Sequence, residues 1–466
     1  MINIILTELL IFSMQPAFIS ATACKILQYG HVMVKQNPIH LNLNVRGLAP
    51  SATLAINEKS AEMQARGLPV YRLGLGQSPF PVPERVVQAL RDHAHEKDYL
   101  PVGGLRKLRE AVAAFNLRTQ GIQTNPDLVM IGPGSKELIF ILQLVYYGDL
   151  MIPTPSWVSY SPQARIVGRH VYWVPTSQDN FWRMSPDQLD KICRTDPDKP
   201  RIAILNYPSN PTGYTYPLDR LKELAQVARK YKVILVSDEI YGLLHFRNQH
   251  VSVARYYPEG TIISGGLSKW CGAGGWRLGT FSFPESLEWL YRAMTIVASE
   301  TYTSTSAPIQ HAAVTAFEGG EDIESYLTRS RRILRGLAHY ATDRLREMHV
   351  DIPMPQGAFY LFPDFGVYRD ALAKKGICTS VELCNTLLEE TGIAMLPGYE
   401  FGREPAELTA RIALVDFNGK EALEAASGVG NNNGIDDAFI RTHAPRMATA
   451  FDRMTEWFSA FHLSLH

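Results

Sequence analysis

Seven short apolar runs, set between segments of helical periodicity, restrict the fold of this chain more than any other feature. The runs cover residues 128–131, 149–152, 170–174, 201–205, 233–236, 261–264 and 278–283. Helical spacing of apolar residues marks 84–93, 105–117, 135–145, 217–230 and 286–298. Strands that alternate with helices predict an α/β fold, with a mainly parallel sheet covered on both faces. Ligands of such sheets gather beyond the carboxyl ends of the strands, and the polar motifs of this chain follow its apolar runs.

The chain has 466 residues, 46% of them hydrophobic and 20% charged, enough for one large and one small domain. The pattern shifts after Ser306-Ala307-Pro308. A large domain is expected over 76–310 and a smaller α+β domain over 311–466, completed by 41–75. Within 311–466 one long helix is expected over 323–348 and a last one over about 436–461. Gly428-Val429-Gly430-Asn431-Asn432-Asn433-Gly434 reads as a flexible loop. Residues 1–40 hold no Lys or Arg before Lys25 and an apolar stretch too short to span a membrane, so they read as a disordered or loosely packed extension. Lys plus Arg equals Asp plus Glu at 46 each, which gives no reason to expect nucleic acid or membrane as partner. The five cysteines are scattered and without metal-ligand spacing, so no metal is expected and a reducing cytoplasm is the natural location.

Lys269 stands in Ser264-Gly265-Gly266-Leu267-Ser268-Lys269-Trp270, with Gly275-Trp276-Arg277-Leu278-Gly279 just after it. Small neighbours let a bulky ligand approach the backbone. A desolvated lysine loses its proton easily and becomes an amine nucleophile. Arg277 offers a planar fork suited to a phosphate. A carbonyl-reactive amine beside a phosphate anchor is what pyridoxal phosphate (PLP) requires. Asp238 ends a strand in Val236-Ser237-Asp238-Glu239-Ile240-Tyr241, where a carboxylate either caps the next helix or keeps a pyridine nitrogen protonated. Gly132-Pro133-Gly134-Ser135-Lys136-Glu137 opens a helix whose first N–H groups suit a phosphate, although a cap without ligand reads the same way. Asn206-Tyr207-Pro208-Ser209-Asn210-Pro211-Thr212-Gly213 is by composition a tight turn. Trp157, in Pro155-Ser156-Trp157-Val158-Ser159-Tyr160, is by itself a core aromatic or a stacking platform.

Taken together these motifs resemble class I/II PLP-dependent aminotransferases of fold type I, over about 41–418, and most of all the bacterial-type aspartate aminotransferase subgroup. The resemblance implies a three-layer large domain plus a smaller α+β domain. It implies that Lys269 carries PLP as a Schiff base and then moves the substrate proton as general base and acid. Asp238 would face the ring nitrogen, and Tyr241 and Asn210 the phenolic oxygen. Gly134, Ser135, Lys136, Ser268 and Arg277 would hold the phosphate, and Trp157 would stack on the ring. Tyr99, in Tyr99-Leu100-Pro101-Val102-Gly103-Gly104-Leu105, would reach the phosphate of a partner subunit, which makes a homodimer the expected state. Arg411, in Thr409-Ala410-Arg411-Ile412-Ala413, would grip the substrate carboxylate, with Gly76, Trp157 and Asn210 near the substrate.

The chain departs from that pattern at Gly266, where the family usually has a hydroxyl three positions before the lysine. Ser264 or Ser268 is expected to substitute, at a loss of about 1 kcal/mol in cofactor binding. Leu48-Ala49-Pro50-Ser51-Ala52-Thr53-Leu54-Ala55-Ile56-Asn57 resembles the amino-terminal motif of the aspartate subgroup, in which a lysine matching Lys136 helps hold the distal carboxylate. Tyr302, Phe359 and Tyr360 would instead favour an aromatic or apolar side chain. The expected activity is transamination between an L-amino acid, acidic or aromatic, and a 2-oxo acid. Another PLP reaction such as β-elimination would keep the same motifs, whereas a catalytically silent regulator is the alternative that the intact constellation argues against.

Overall fold

The computed structural model describes residues 40–48, 52–429 and 434–461. Residues 1–39, Ala49-Pro50-Ser51 and the centre of the 428–434 loop lie outside them. Among the described residues, those from 47 onward form one compact unit, distinct from the unit to which 40–46 belong.

All seven apolar runs are strands of one sheet. In chain order they are β1 (Val129–Gly132), β2 (Asp149–Thr154), β3 (Val171–Pro175), β4 (Arg201–Asn206), β5 (Ile234–Asp238), β6 (Thr261–Gly266) and β7 (Gly279–Ser282). Their spatial order is β1-β7-β6-β5-β4-β2-β3. Only β7 runs antiparallel to its neighbours, so the carboxyl ends of the other six share one edge. Both faces are apolar in alternation, as a covered sheet requires. Ile202 and Ile204 of β4 pack with Leu138, Ile139 and Leu142 of helix Ser135–Val145 and with Leu290 and Met294 of helix Glu288–Ser299. Ala203 and Leu205 pack on the other side with Leu221 and Leu224 of helix Leu218–Lys230 and Leu189 of helix Pro186–Arg194. Three layers result.

The carboxy-terminal part holds a three-stranded antiparallel sheet ordered Leu396–Pro397, Ala410–Ala413, Tyr360–Leu361. Tyr71–Arg72 pairs in parallel with Ile393–Ala394 and so joins the early segment to these late strands. The expected long helix runs Glu321–Glu347. The single last helix expected over 436–461 is instead two, Asp437–His443 and Pro445–Ser459. Pro445 causes the break, because the residue before a proline avoids helical geometry, and Ala444 sits at φ −135°, ψ 49°. No helix among the described residues is long and apolar enough to cross a membrane.

Candidate active site

The shared edge of the sheet surrounds a cavity of about 560 Å3. Its walls include Gly76, Ser135, Lys136, Trp157, Asn210, Asp238, Tyr241, Ser268, Lys269 and Arg277. Apart from Gly76, which arrives from the amino-terminal segment, they lie at or beyond the carboxyl ends of five strands, β1, β2, β4, β5 and β6. Of the residues named from sequence, Gly134 and Arg411 adjoin these walls through Arg277 and Asn210 respectively. Tyr99 does not join them: it is 90% exposed on this chain.

Lys269 follows β6. Its amine donates to the carbonyl of Gly76 at 2.5 Å and lies 5.8 Å from the Tyr241 ring centre. Burial, with the charges of Arg411 and Arg277 adding to it, lowers its pKa to about 8. Asp238, at the end of β5, is also buried, and burial raises its carboxyl to about 6. Tyr160 donates to Asp238 Oδ2 at 2.5 Å, and Ser264 Oγ lies 3.4 Å from Oδ1.

Arg277 has φ 55°, a strained value for a residue with a side chain, and its guanidinium donates to the carbonyls of Gly274 and Pro133 at 3.1 and 3.3 Å. It crosses the loop that starts helix Ser135–Val145, where Gly134 is the N-cap and no side chain caps the helix. The first N–H groups of that helix therefore remain available to an anion. Lys136 has its pKa lowered, by burial first and by Arg277 second, and its amine stands 5.6 Å from the Trp157 ring. Lys136, Lys269 and Arg277 around one carboxylate leave an excess of positive charge that an anionic ligand would relieve.

Arg411, on strand Ala410–Ala413, is buried. Nη1 donates to Asn210 Oδ1 at 3.1 Å, Nη2 to the Gly74 carbonyl at 2.5 Å, and buried Nε has no partner. Its guanidinium carbon stands 4.7 Å from the Tyr360 ring centre. Because Asn210 accepts from Arg411 through oxygen, its amide N–H groups stay free for the cavity. Asn206 holds the turn: its side chain accepts from Asn210 N at 2.7 Å and donates to the Asp238 carbonyl at 3.0 Å.

Three contributors escaped the sequence reading. Tyr160 lies within the quoted Trp157 motif, one helical turn after the tryptophan, so a signal was present. Asn206 opens the quoted turn. Tyr360, named only as an apolar lining, shares a 2.9 Å hydrogen bond with the Tyr241 hydroxyl. Tyr302 contacts the Ile131 carbonyl at 3.3 Å instead of lining the cavity. Of the two serines expected to stand in for a hydroxyl at Gly266, Ser268 lines the cavity, whereas Ser264 is spent on Asp238. Gly266 itself has φ 152°, and a Cβ there would lie 2.6 Å from the Leu278 carbonyl oxygen. The backbone demands glycine at this position.

Residues 69–425 match the family model for aminotransferase class I and II. The chain belongs to that family. It is 36% identical over 373 residues to the aspartate aminotransferase of Geobacillus stearothermophilus, covering 77% of this chain and 91% of the relative. It is 30% identical over 389 residues to the probable aspartate/prephenate aminotransferase of Thermus aquaticus, covering 82% and 97%. Among solved structures, the aspartate aminotransferase of Thermus thermophilus with maleate superposes with a TM-score of 0.74 at 30% identity, covering 83% of this chain and 98% of that one. The three-layer large domain and the smaller one are thus those of a fold type I aminotransferase, and this chain is a transaminase. The aminotransferase cavity meets what the family cofactor needs: a buried amine, a glycine-lined cationic cradle and an uncapped helix start.

Proposed function

We propose that this aminotransferase uses pyridoxal phosphate to exchange amino groups between an acidic or aromatic L-amino acid and a 2-oxo acid. The observation that carries the reading is the meeting of the buried Lys269 amine, the Asp238 carboxylate and the Arg277 guanidinium around one cavity. When bound, PLP supplies an aldehyde carbon for the amine and a ring that withdraws electrons from the substrate. Lys269 would hold the cofactor through that carbon. The Lys269 amine, its pKa lowered by burial, would serve as general base for the substrate Cα proton and as general acid when that proton is delivered across the amino nitrogen. Asp238 keeps the ring nitrogen protonated. Asn210 and Tyr241 would donate to the ring oxygen, and Tyr360 shares a hydrogen bond with the Tyr241 hydroxyl that holds it in place. Arg277, Gly134, Ser135, Lys136 and Ser268 hold the phosphate, with Trp157 against the ring. Arg411 pairs with the α-carboxylate, which amino acids and 2-oxo acids share.

The substrate class rests on the names of the Geobacillus and Thermus relatives and on Lys136, an ammonium at the wall able to meet a second carboxylate. The enzyme acts as a homodimer that lends Tyr99 to the neighbouring site; the high exposure of Tyr99 supports this. A cytoplasmic location is supported by the free thiols of Cys193, Cys271, Cys378 and Cys384.

The test is a half-reaction screen of about twenty amino acids on PLP-loaded protein, followed by absorption. Aspartate, glutamate or an aromatic amino acid should convert the cofactor fastest, and Lys269→Ala should convert none. Borohydride followed by peptide mapping should find the cofactor on Lys269. Turnover by Lys269→Ala at the wild-type rate would defeat the proposal.

A further inference from the structure

Away from the cavity, His93, Glu96 and His311 each bring one ligand atom to within 4.8 Å of the others. His93 ends helix Glu84–Asp92, Glu96 lies in the turn after it, and His311 is on helix Ala307–Glu318. We propose that this cluster binds a divalent transition-metal ion of the zinc type, at a site separate from amino transfer.

Glu96 Oε1 is the hub. His93 Nδ1 stands 3.5 Å from it, His95 Nε2 3.8 Å and His311 Nε2 3.9 Å. A charge-assisted hydrogen bond would bring nitrogen and oxygen to about 2.7–2.9 Å. All three imidazoles stand off beyond that, and His93 Nδ1 is a buried atom with no hydrogen-bond partner at all. Donors about 2.0–2.1 Å from a tetrahedral ion are spaced about 3.4 Å apart. The observed separations therefore match donors around an ion better than donors bonded to each other.

The ligand must be a neutral imidazole with a free electron pair. The rings of His93 and His311 stack at 4.5 Å, 19° from parallel. One stacked ring must turn about χ2 to aim its lone pair, a soft torsion for histidine. Two or three nitrogens and one carboxylate select zinc-like ions over magnesium or calcium, which prefer oxygen throughout. A bound ion would tie the turn that precedes Tyr99 to helix Ala307–Glu318.

The test uses PLP-loaded enzyme stripped of metal with a chelator and titrated with Zn2+ against a chromophoric competitor. One equivalent per chain should bind, and His311→Gln and Glu96→Gln should each weaken it about 100-fold. Both positions are partly exposed and both replacements conservative, so folding should survive. Co2+ should produce visible absorption bands in the wild type that the two variants lack. Failure of the wild type to take up Zn2+, or wild-type affinity retained in both variants, would overturn the site. So would loss of binding in Cys378→Ser, which would assign the ion to that exposed thiol.

Discussion

Arg277 and Gly134 lie so close that a Cβ on Gly134 would stand 2.1 Å from Nη2 of Arg277. Gly134 also has φ 91°, which favours glycine. Gly134→Ala is therefore expected to push the guanidinium out of the phosphate cradle. PLP affinity, measured by equilibrium dialysis, should fall at least about tenfold, the loss of one charged hydrogen bond. Unchanged affinity would separate Arg277 from the phosphate.

Lys269 should make cofactor capture depend on pH near neutrality. The amine attacks only when neutral, and its pKa is lowered to about 8. Stopped-flow mixing of cofactor-free enzyme with PLP should show a rate that rises with pH and levels off above about 8. A rise that continues past pH 10 would mean that Lys269 behaves as an exposed lysine.

Asp238 should oppose stability in the cofactor-free enzyme. Burial raises its pKa from 3.8 to about 6, so between those values the folded state binds more protons than the unfolded one. Stability that this group contributes in acid is then lost as pH rises through about 6. Asp238→Asn should match the wild type near pH 4 and exceed it by roughly 3 kcal/mol above pH 6. Its transaminase activity should fall at least about 100-fold. Urea unfolding at several pH values checks the sign, and a gap independent of pH would contradict it.

Gly266→Ser should not restore the missing hydroxyl. Its Cβ would meet the Leu278 carbonyl oxygen at 2.6 Å in a backbone conformation of φ 152°. A loss of about 2 kcal/mol or more in unfolding free energy is expected, with no gain in PLP affinity. A tighter-binding, equally stable variant would refute the steric account.

Lys136→Ala should discriminate between substrates. Loss of a charged partner for a second carboxylate costs about 1.5–3 kcal/mol. The kcat/KM for aspartate should therefore drop at least about tenfold more than that for phenylalanine. Equal losses would confine Lys136 to the phosphate.

Local signals explain why the large domain could be read before folding. Alternating apolar runs bury both faces of a strand wherever helices cover them, and β4 shows this residue by residue. Helix Ser135–Val145 begins and ends where its periodicity does. The broken last helix was equally local, since Pro445 carried the signal that the apolar spacing masked.

The sequence by itself determined which segments become strands, and that Lys269, Asp238, Asn210 and Arg277 follow strand ends, because backbone preference and periodicity act over a few residues. Tertiary structure alone decided who touches whom. Tyr160 reaches Asp238 across 78 positions, Tyr360 reaches Tyr241 across 119, and Arg411 reaches Asn210 across 201. It also turned Gly266 from an apparent loss into a steric requirement, since the Leu278 carbonyl that forbids a side chain there is set by strand pairing. Such contacts arise from the packing of distant segments, and no spacing along one chain encodes them.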